Sequence, residues 1–582
     1  MSRRRQAPCT PHDGTQRPAA PVRRALRLDG TRQEVLETGR TRLLVAGIVF
    51  AVAFSAIGVR VLELAVLSGG ERRDVATRAD GAPPAQTRAD IVDRNGHVLA
   101  TTLPVTSLYA DPRKVDDAAR VANRLAPILK DSTAAELQAL LDSTKHFVWL
   151  ERKLTPRQQY RVNRLGNPAL RFQESERRFY PYGDLTAHAV GYTNVDGKGI
   201  AGIEQSFNQL LADSNQPLQL SLDVRVQHIL TEELRAKMQE FEGIGAAGVV
   251  MDVRTGELLA MASLPSFDPH EPGQARDDAK FNRATLGIYE MGSTFKIFST
   301  AAALETQSVG LFDKFDVSDP IRKAGFTIRD YKPKDGKLTV PQIFMHSSNI
   351  GTVKMAMETG TEVQQNTLRD LGLTRPVNLE LPEVGTPMVP NPWREISTVT
   401  VSYGHGIAVN AVQLASAVGA TVNHGRRHSP TLLKRDPGDV GAGQRVFSAK
   451  TSRQMRDLMR LVVEYGTGKN ADAYGYRVGG KTGTANKQEN GRYGNGRLSS
   501  FVGAFPMDDP RYVVFAMVDE PKGQEHTYGY ATGGWVAAPV VKNVIERIGP
   551  MLGLEPRPTK TPKKENHPLL VNALSEDERV AS

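Results

Sequence analysis

Between Arg42 and Arg60 the chain runs for seventeen residues without a charge, LLVAGIVFAVAFSAIGV from Leu43 to Val59, and no second apolar run of that length follows. As a helix rising about 1.5 Å per residue it spans roughly 25 Å, the short end of what crosses a bilayer. The flanking arginines can add reach by snorkelling to the interface. A cleaved signal peptide is the competing reading, but its apolar core of about 7–15 residues follows a short basic leader, whereas 42 residues precede this run. An uncleaved single-pass anchor over 43–64 is therefore expected, behind a tail of residues 1–42. That tail carries ten Arg against Asp13, Asp29, Glu34 and Glu37. The positive-inside rule places it in the cytoplasm and everything after about residue 65 outside, with the inner membrane as the expected location. A docking site for cytoplasmic partners is the alternative use of the tail.

The tail thus holds six of the ten net positive charges, leaving four for the other 540 residues. Nucleic-acid binding calls for a basic surplus on a folded face, so no nucleic-acid function is expected. The single cysteine, Cys9, excludes an intrachain disulfide framework, a Cys-rich zinc site and an iron–sulfur cluster; no metal or cofactor is expected. A length of 582 residues exceeds what one core usually organises, and 40% hydrophobic with 24% charged residues is globular.

The exported part reads as an α+β protein in two pieces. Residues 65–222 mix strands, short helices and loops, opening with a hairpin signal at Asn95-Gly96, and contain no catalytic constellation. They are expected to form an elongated pedestal. A helix-period segment, Val224 to Glu240, begins a second domain over 223–552. Ala246–Met251 and Glu257–Ala262 read as a hairpin around the turn Asp252–Gly256. Late strands are expected at Arg477–Ala485, Ser499–Phe505 and Tyr512–Val518, before a last helix from Trp535 to about Met551. With a helical middle between early and late strands, this order predicts an antiparallel sheet sandwiched by helices. Residues 553–582, rich in Pro and Lys at the start, are expected to be a disordered tail.

Three short stretches can do chemistry. Gly292-Ser293-Thr294-Phe295-Lys296 opens an apolar helix with Ser293 at its start, and a spacing of three puts Ser293 and Lys296 on one face. A buried ammonium sheds its proton readily and then serves as the base that a serine nucleophile needs; the plain alternative is a capping serine and a solvent-facing lysine. Ser347-Ser348-Asn349 offers a hydroxyl and an amide two positions apart. Lys481-Thr482-Gly483-Thr484 lies in a predicted strand, where a lysine and two hydroxyls can bind a carboxylate while close backbone donates N–H groups. Each stretch alone is weak; their order along one chain is not.

Together they resemble the penicillin-binding protein and serine β-lactamase superfamily, marked by Ser-x-x-Lys, Ser-x-Asn and Lys-Thr-Gly. RADIVDRNGHVLA, GIAGIEQSFNQLL, GVVMDVRTGELLAMASLPSFDP, YEMGSTFK and SYGHGIAVNAVQLASA extend the resemblance over about 88–545 to class B penicillin-binding proteins, the last of these and GYRVGGKTGTA to their division-specific FtsI type. No glycosyltransferase-like region precedes the pedestal, which separates the chain from the bifunctional class A enzymes. Ser-Thr-Phe-Lys also occurs in class D β-lactamases, but those have an apolar residue where Asn349 stands. The resemblance implies a peptidoglycan DD-transpeptidase trapped by β-lactams, with Ser293 as nucleophile and Lys296 as its base. It also implies that Ser347 relays a proton, Asn349 orients Lys296, Lys481 and Thr482 bind the substrate carboxylate, and the Ser293 and Thr484 N–H groups form an oxyanion hole. Thr482, Gly483 and Thr484 are together implied to be substrate-binding. Implied partners are stem peptides on lipid-linked glycan strands, a SEDS-family glycosyltransferase and other division proteins. A non-catalytic β-lactam sensor or division scaffold, and an elongation-specific transpeptidase, are the alternatives. The pedestal is implied to be an interaction or dimerisation-like domain, or simply a spacer.

Overall fold

The computed structural model describes residues 48, 51, 52, 54, 55, 87–129, 132–489, 492–558 and 561–571. The arginine-rich tail lies outside the described residues, as does nearly all of the expected span over 43–64; among the described residues no helix is long and apolar enough to cross a membrane. The described residues from 87 on belong to one compact unit.

The hairpin expected at Asn95-Gly96 is present. Gly96 has φ +89°, and Ile91–Val92 returns antiparallel against β1 (Val98–Ala110). β1 continues as the central strand between β2 (Val148–Leu154) and β3 (Leu170–Phe179). One side of this sheet buries Leu108, Leu125, Leu137, Leu150 and Val162 in a small core of its own. That core does not extend to residue 222: Ile91, Leu99, Val190, Ile203 and Leu220 belong to the core of the larger lobe. Where the two meet, Glu204 is fully buried between two arginines. Its carboxylate accepts from Arg88 Nε at 2.6 Å and Arg178 Nε at 2.7 Å, which gives the arginine of RADIVDRNG and the glutamate of GIAGIE a structural task.

The larger lobe starts with α1 (Val224–Glu240), capped by Asp223, and is built on a five-stranded antiparallel sheet. In chain order the strands are β4 (Gly245–Asp252), β5 (Leu258–Leu264), β6 (Gly479–Glu489), β7 (Arg492–Phe505) and β8 (Tyr512–Asp519); in space they run β6-β7-β8-β4-β5. The residues of β4 and β8 are apolar at nearly every position because both faces are covered. Val250, Val514 and Ala516 point to one side with Leu230 and Leu234 of α1 and Val541 and Ile545 of the final helix α7 (Gly533–Met551). Val249, Phe515 and Met517 point to the other, against Leu414 and Val418. The middle helices include α2 (Lys296–Glu305), α3 (Val340–His346), α4 (Asn349–Thr359), α5 (Ala411–Val422) and α6 (Ala449–Tyr465), the last lying along β6.

Two details differ from the sequence reading. The β6–β7 hairpin is longer, pairing as far out as Glu489 with Arg492. The tail expected to be disordered from Leu554 forms a short helix at Pro568–Val571, where Leu570 is buried against Met345 and Leu461. Two adjacent leucines outweigh the surrounding Pro and Lys once a greasy groove is available.

Candidate active site

Gly292–Phe295 is a single 3₁₀ turn feeding α2, and neither the turn nor the helix has a side-chain cap. The capping role open to Ser293 from sequence is thus not taken, and Thr294 Oγ1 instead closes the turn by donating to Met291 O at 3.0 Å. In a 3₁₀ turn residues three apart eclipse, which puts Ser293 and Lys296 on the same side of the chain where the turn runs into α2. Ser293 is half-buried and Lys296 is fully buried, not solvent-facing.

The Lys296 ammonium donates to three oxygens: Ser347 O at 2.6 Å, Asn349 Oδ1 at 2.6 Å and Ser347 Oγ at 3.2 Å. None is a carboxylate. Burial therefore pushes its pKa well below the ordinary lysine range, and the nearby Lys481 charge pushes the same way against a weaker pull from Asp330. Lys481, also fully buried, donates to Ser347 Oγ at 2.9 Å and is lowered by burial to about 7.

Ser347 ends α3 in the left-handed region, φ 60° and ψ 41°, a conformation that costs a non-glycine residue about 1 kcal/mol or more. It turns the hydroxyl between the two amines, so both lone pairs are occupied when both donate. The next residues are fixed by Asp330, on the loop before α3. Its Oδ2 accepts from Ser348 Oγ at 2.6 Å and its Oδ1 from Ile350 N at 3.0 Å and from Asn349 N, an anion at the start of α4 where helix N–H groups are unpaired. Asn349 Nδ2 donates to Arg329 O at 2.8 Å, which leaves Oδ1 facing Lys296.

Strand β6 lies directly against the turn that carries Ser293. A Cβ on Gly483 would stand 2.6 Å from Met291 O and 2.4 Å from Ser500 Oγ, so only glycine allows this approach. On either side, Thr482 Oγ1 shares a hydrogen bond of 2.8 Å with Thr467 Oγ1, and Thr484 Oγ1 accepts from Gly533 N at 3.2 Å at the start of α7. Lys481, Ser347, Asn349 and Lys296 are thus linked by hydrogen bonds, and the turn holding Ser293 abuts Gly483 and Thr484.

Sequence reasoning missed Asp330, Thr467 and a second group behind the turn. Glu290 accepts from Gly406 N at 2.9 Å and from Tyr493 Oη at 3.1 Å. His405, next to Gly406 in the chain, has its ring centre 5.6 Å from that of Tyr493 and is lowered to about 4 by burial and then by the Lys296 charge. Glu290 and His405 stand inside YEMGSTFK and SYGHG, but no spacing rule joins segments more than a hundred residues apart.

The model of the penicillin-binding protein transpeptidase domain matches residues 246–546, and that of the penicillin-binding protein dimerisation domain matches residues 83–237. A probable peptidoglycan D,D-transpeptidase FtsI of Caulobacter vibrioides is 41% identical over 80% of this chain and 82% of its own length. The chain belongs to the FtsI-type penicillin-binding protein transpeptidases. Within that family the peptidoglycan D,D-transpeptidase FtsI of Escherichia coli K12 is 30% identical, over 81% of this chain and 84% of its own. Among solved structures, penicillin-binding protein 3 of Mycobacterium tuberculosis complexed with ampicillin is similar with a TM-score of 0.65 and 25% identity, covering 82% of this chain and 98% of that one.

Proposed function

We propose that the protein is a peptidoglycan D,D-transpeptidase in which Ser293 forms the acyl-enzyme, and that β-lactams acylate the same oxygen. The observation that carries the assignment is Lys296: a fully buried amine three residues after the serine, hydrogen-bonded only to neutral oxygens and with its proton loosened. Neutral Lys296 takes the Ser293 proton as Oγ attacks the penultimate D-alanine carbonyl. The developing oxyanion is stabilised by the Ser293 and Thr484 N–H groups at the contact between turn and strand. The terminal D-alanine leaves as an amine, protonated through Ser347, whose hydroxyl lies between the two lysines and can pass a proton from Lys296. Lys481 and Thr482 bind the terminal carboxylate. With a pKa of about 7, Lys481 is part ammonium at neutral pH, and an arriving carboxylate draws it fully to the charged form. Asn349 holds Lys296 in place. An amine from a neighbouring stem peptide then attacks the acyl carbon, the Ser293 oxygen recovers its proton, and the crosslink is complete.

The apolar run Leu43–Val59 supports a cytoplasmic N-terminus, a single inner-membrane span and an extracytoplasmic catalytic lobe. The FtsI relatives support a role at the septum, with the SEDS-family glycosyltransferase and other division proteins as partners of the anchor and pedestal. A crosslinking reaction on lipid-linked glycan strands tests the enzyme: wild type is expected to form dimeric muropeptides and to carry one penicilloyl group by intact mass. Ser293→Ala should lose both, and a labelled Ser293→Ala protein would refute the nucleophile.

A further inference from the structure

A cavity of about 490 Å³ opens between the loop after residue 370, the first turns of α5 and the short antiparallel pair of Arg426–Arg427 with Gln444–Arg445. None of Ser293, Lys296, Ser347, Asn349 or Lys481 lines it. Three guanidinium groups do, those of Arg369, Arg375 and Arg427, and the only carboxylate in the lining is Asp370, 3.7 Å from Arg369. The wall therefore carries two uncompensated positive charges.

Arg427 is the built part of this site. Its strand pairs it with Gln444, whose Oε1 accepts from Nη2 at 2.8 Å. Its Nε is buried with no hydrogen-bond partner, an arrangement that costs free energy until an acceptor arrives. The backbone makes room for the group: Gly372 has φ +78°, and a Cβ there would come within 2.6 Å of Nη1. Gln413 on α5 donates to Gly372 O at 3.0 Å and Arg375 O at 2.8 Å, which ties the loop to the helix and sets the cavity's walls. A guanidinium fork matches the geometry of carboxylate and phosphoryl oxygens, and the volume suits a small molecule. We propose that this cavity is a second ligand site, distinct from the transpeptidase cleft, that binds a small oxyanion, phosphoryl or carboxylate, on Arg427 with Arg375 and Arg369 at the rim.

Calorimetric titration of the full-length protein in detergent tests this, with inorganic pyrophosphate and with citrate, each at ionic strength matched by potassium chloride. At least one probe is expected to saturate a single site. Pyrophosphate alone identifies a phosphoryl ligand and citrate alone a carboxylate ligand. Arg427→Gln should weaken binding about tenfold or more, the value of one charge-assisted contact, while penicillin acylation stays at the wild-type rate. Should Arg427→Gln fail to fold, the exposed Arg375→Gln is expected to weaken binding severalfold with the fold intact. Absence of saturation with both probes, or folded variants that bind as wild type does, would overturn the proposal.

Discussion

Among the buried cations of the described residues, two pairs are treated in opposite ways. In the pedestal joint, Arg88 and Arg178 close on the carboxylate of Glu204, and their remaining N–H groups reach the main-chain oxygens of Glu204, Arg88 and Ala89. Near Ser293, Lys296 and Lys481 share the hydroxyl of Ser347 and have no carboxylate partner among the described residues. A guanidinium keeps its proton under any ordinary condition, so burying two of them demands a counter-ion. An ammonium can shed its proton instead, and it does so when burial is not compensated. The first arrangement joins two lobes; in the proposed mechanism the second prepares a base.

The sharpest way to break this contrast is to give the catalytic corner the pedestal's cation. Lys296→Arg keeps a charge but cannot present a neutral amine, so penicillin acylation is expected to fall by about 10²–10⁴-fold, the usual value of a positioned base. Lys296→Met should fall as far while remaining folded, as read by circular dichroism; acylation within about threefold of wild type in either variant would remove Lys296 from the chemistry. In the joint, Glu204→Gln leaves two buried guanidiniums without their anion and is expected to cost about 3–5 kcal/mol in denaturant unfolding. Its acylation rate per folded molecule should not change, and a catalytic loss without a stability loss would invert the comparison. A smaller effect is expected where the two motifs touch. Gly483→Ala forces the strand away from Met291 and Ser500, costing about 1–3 kcal/mol and slowing acylation, because the turn and the strand no longer meet at the same distance.

Much of this was legible beforehand, and the reasons are physical. The sheet could be read because β4, β5 and β8 are short apolar runs bounded by turn residues, as in Asp252–Gly256. The three motifs could be read because each places its reactive atoms within four residues. Asp330 could not: it stands in a loop with no period, and its task depends on meeting the start of α4. Neither could the sharing of one hydroxyl by two lysines, since it rests on the left-handed backbone of Ser347, which sequence favours only in glycine or asparagine. The start of α2 differed because a 3₁₀ turn is a choice of packing against Gly483 and Thr484 and not of local propensity. Of the buried Arg–Glu–Arg joint, Arg88 and Glu204 stand 116 residues apart in two motifs that no spacing rule connects, and Arg178 lies in neither.

The central claim is that Ser293 is activated by an uncharged Lys296, and the pH dependence of penicillin acylation tests it most directly. The base form is the neutral amine, so the rate rises with pH through the Lys296 pKa and is level above it. Because burial and the Lys481 charge place that pKa well below the usual 10.5, the second-order rate is expected to be level already below the range where an ordinary lysine titrates and to fall on the acid side. A rate still climbing through about pH 10–11, as an ordinary lysine would give, would contradict it.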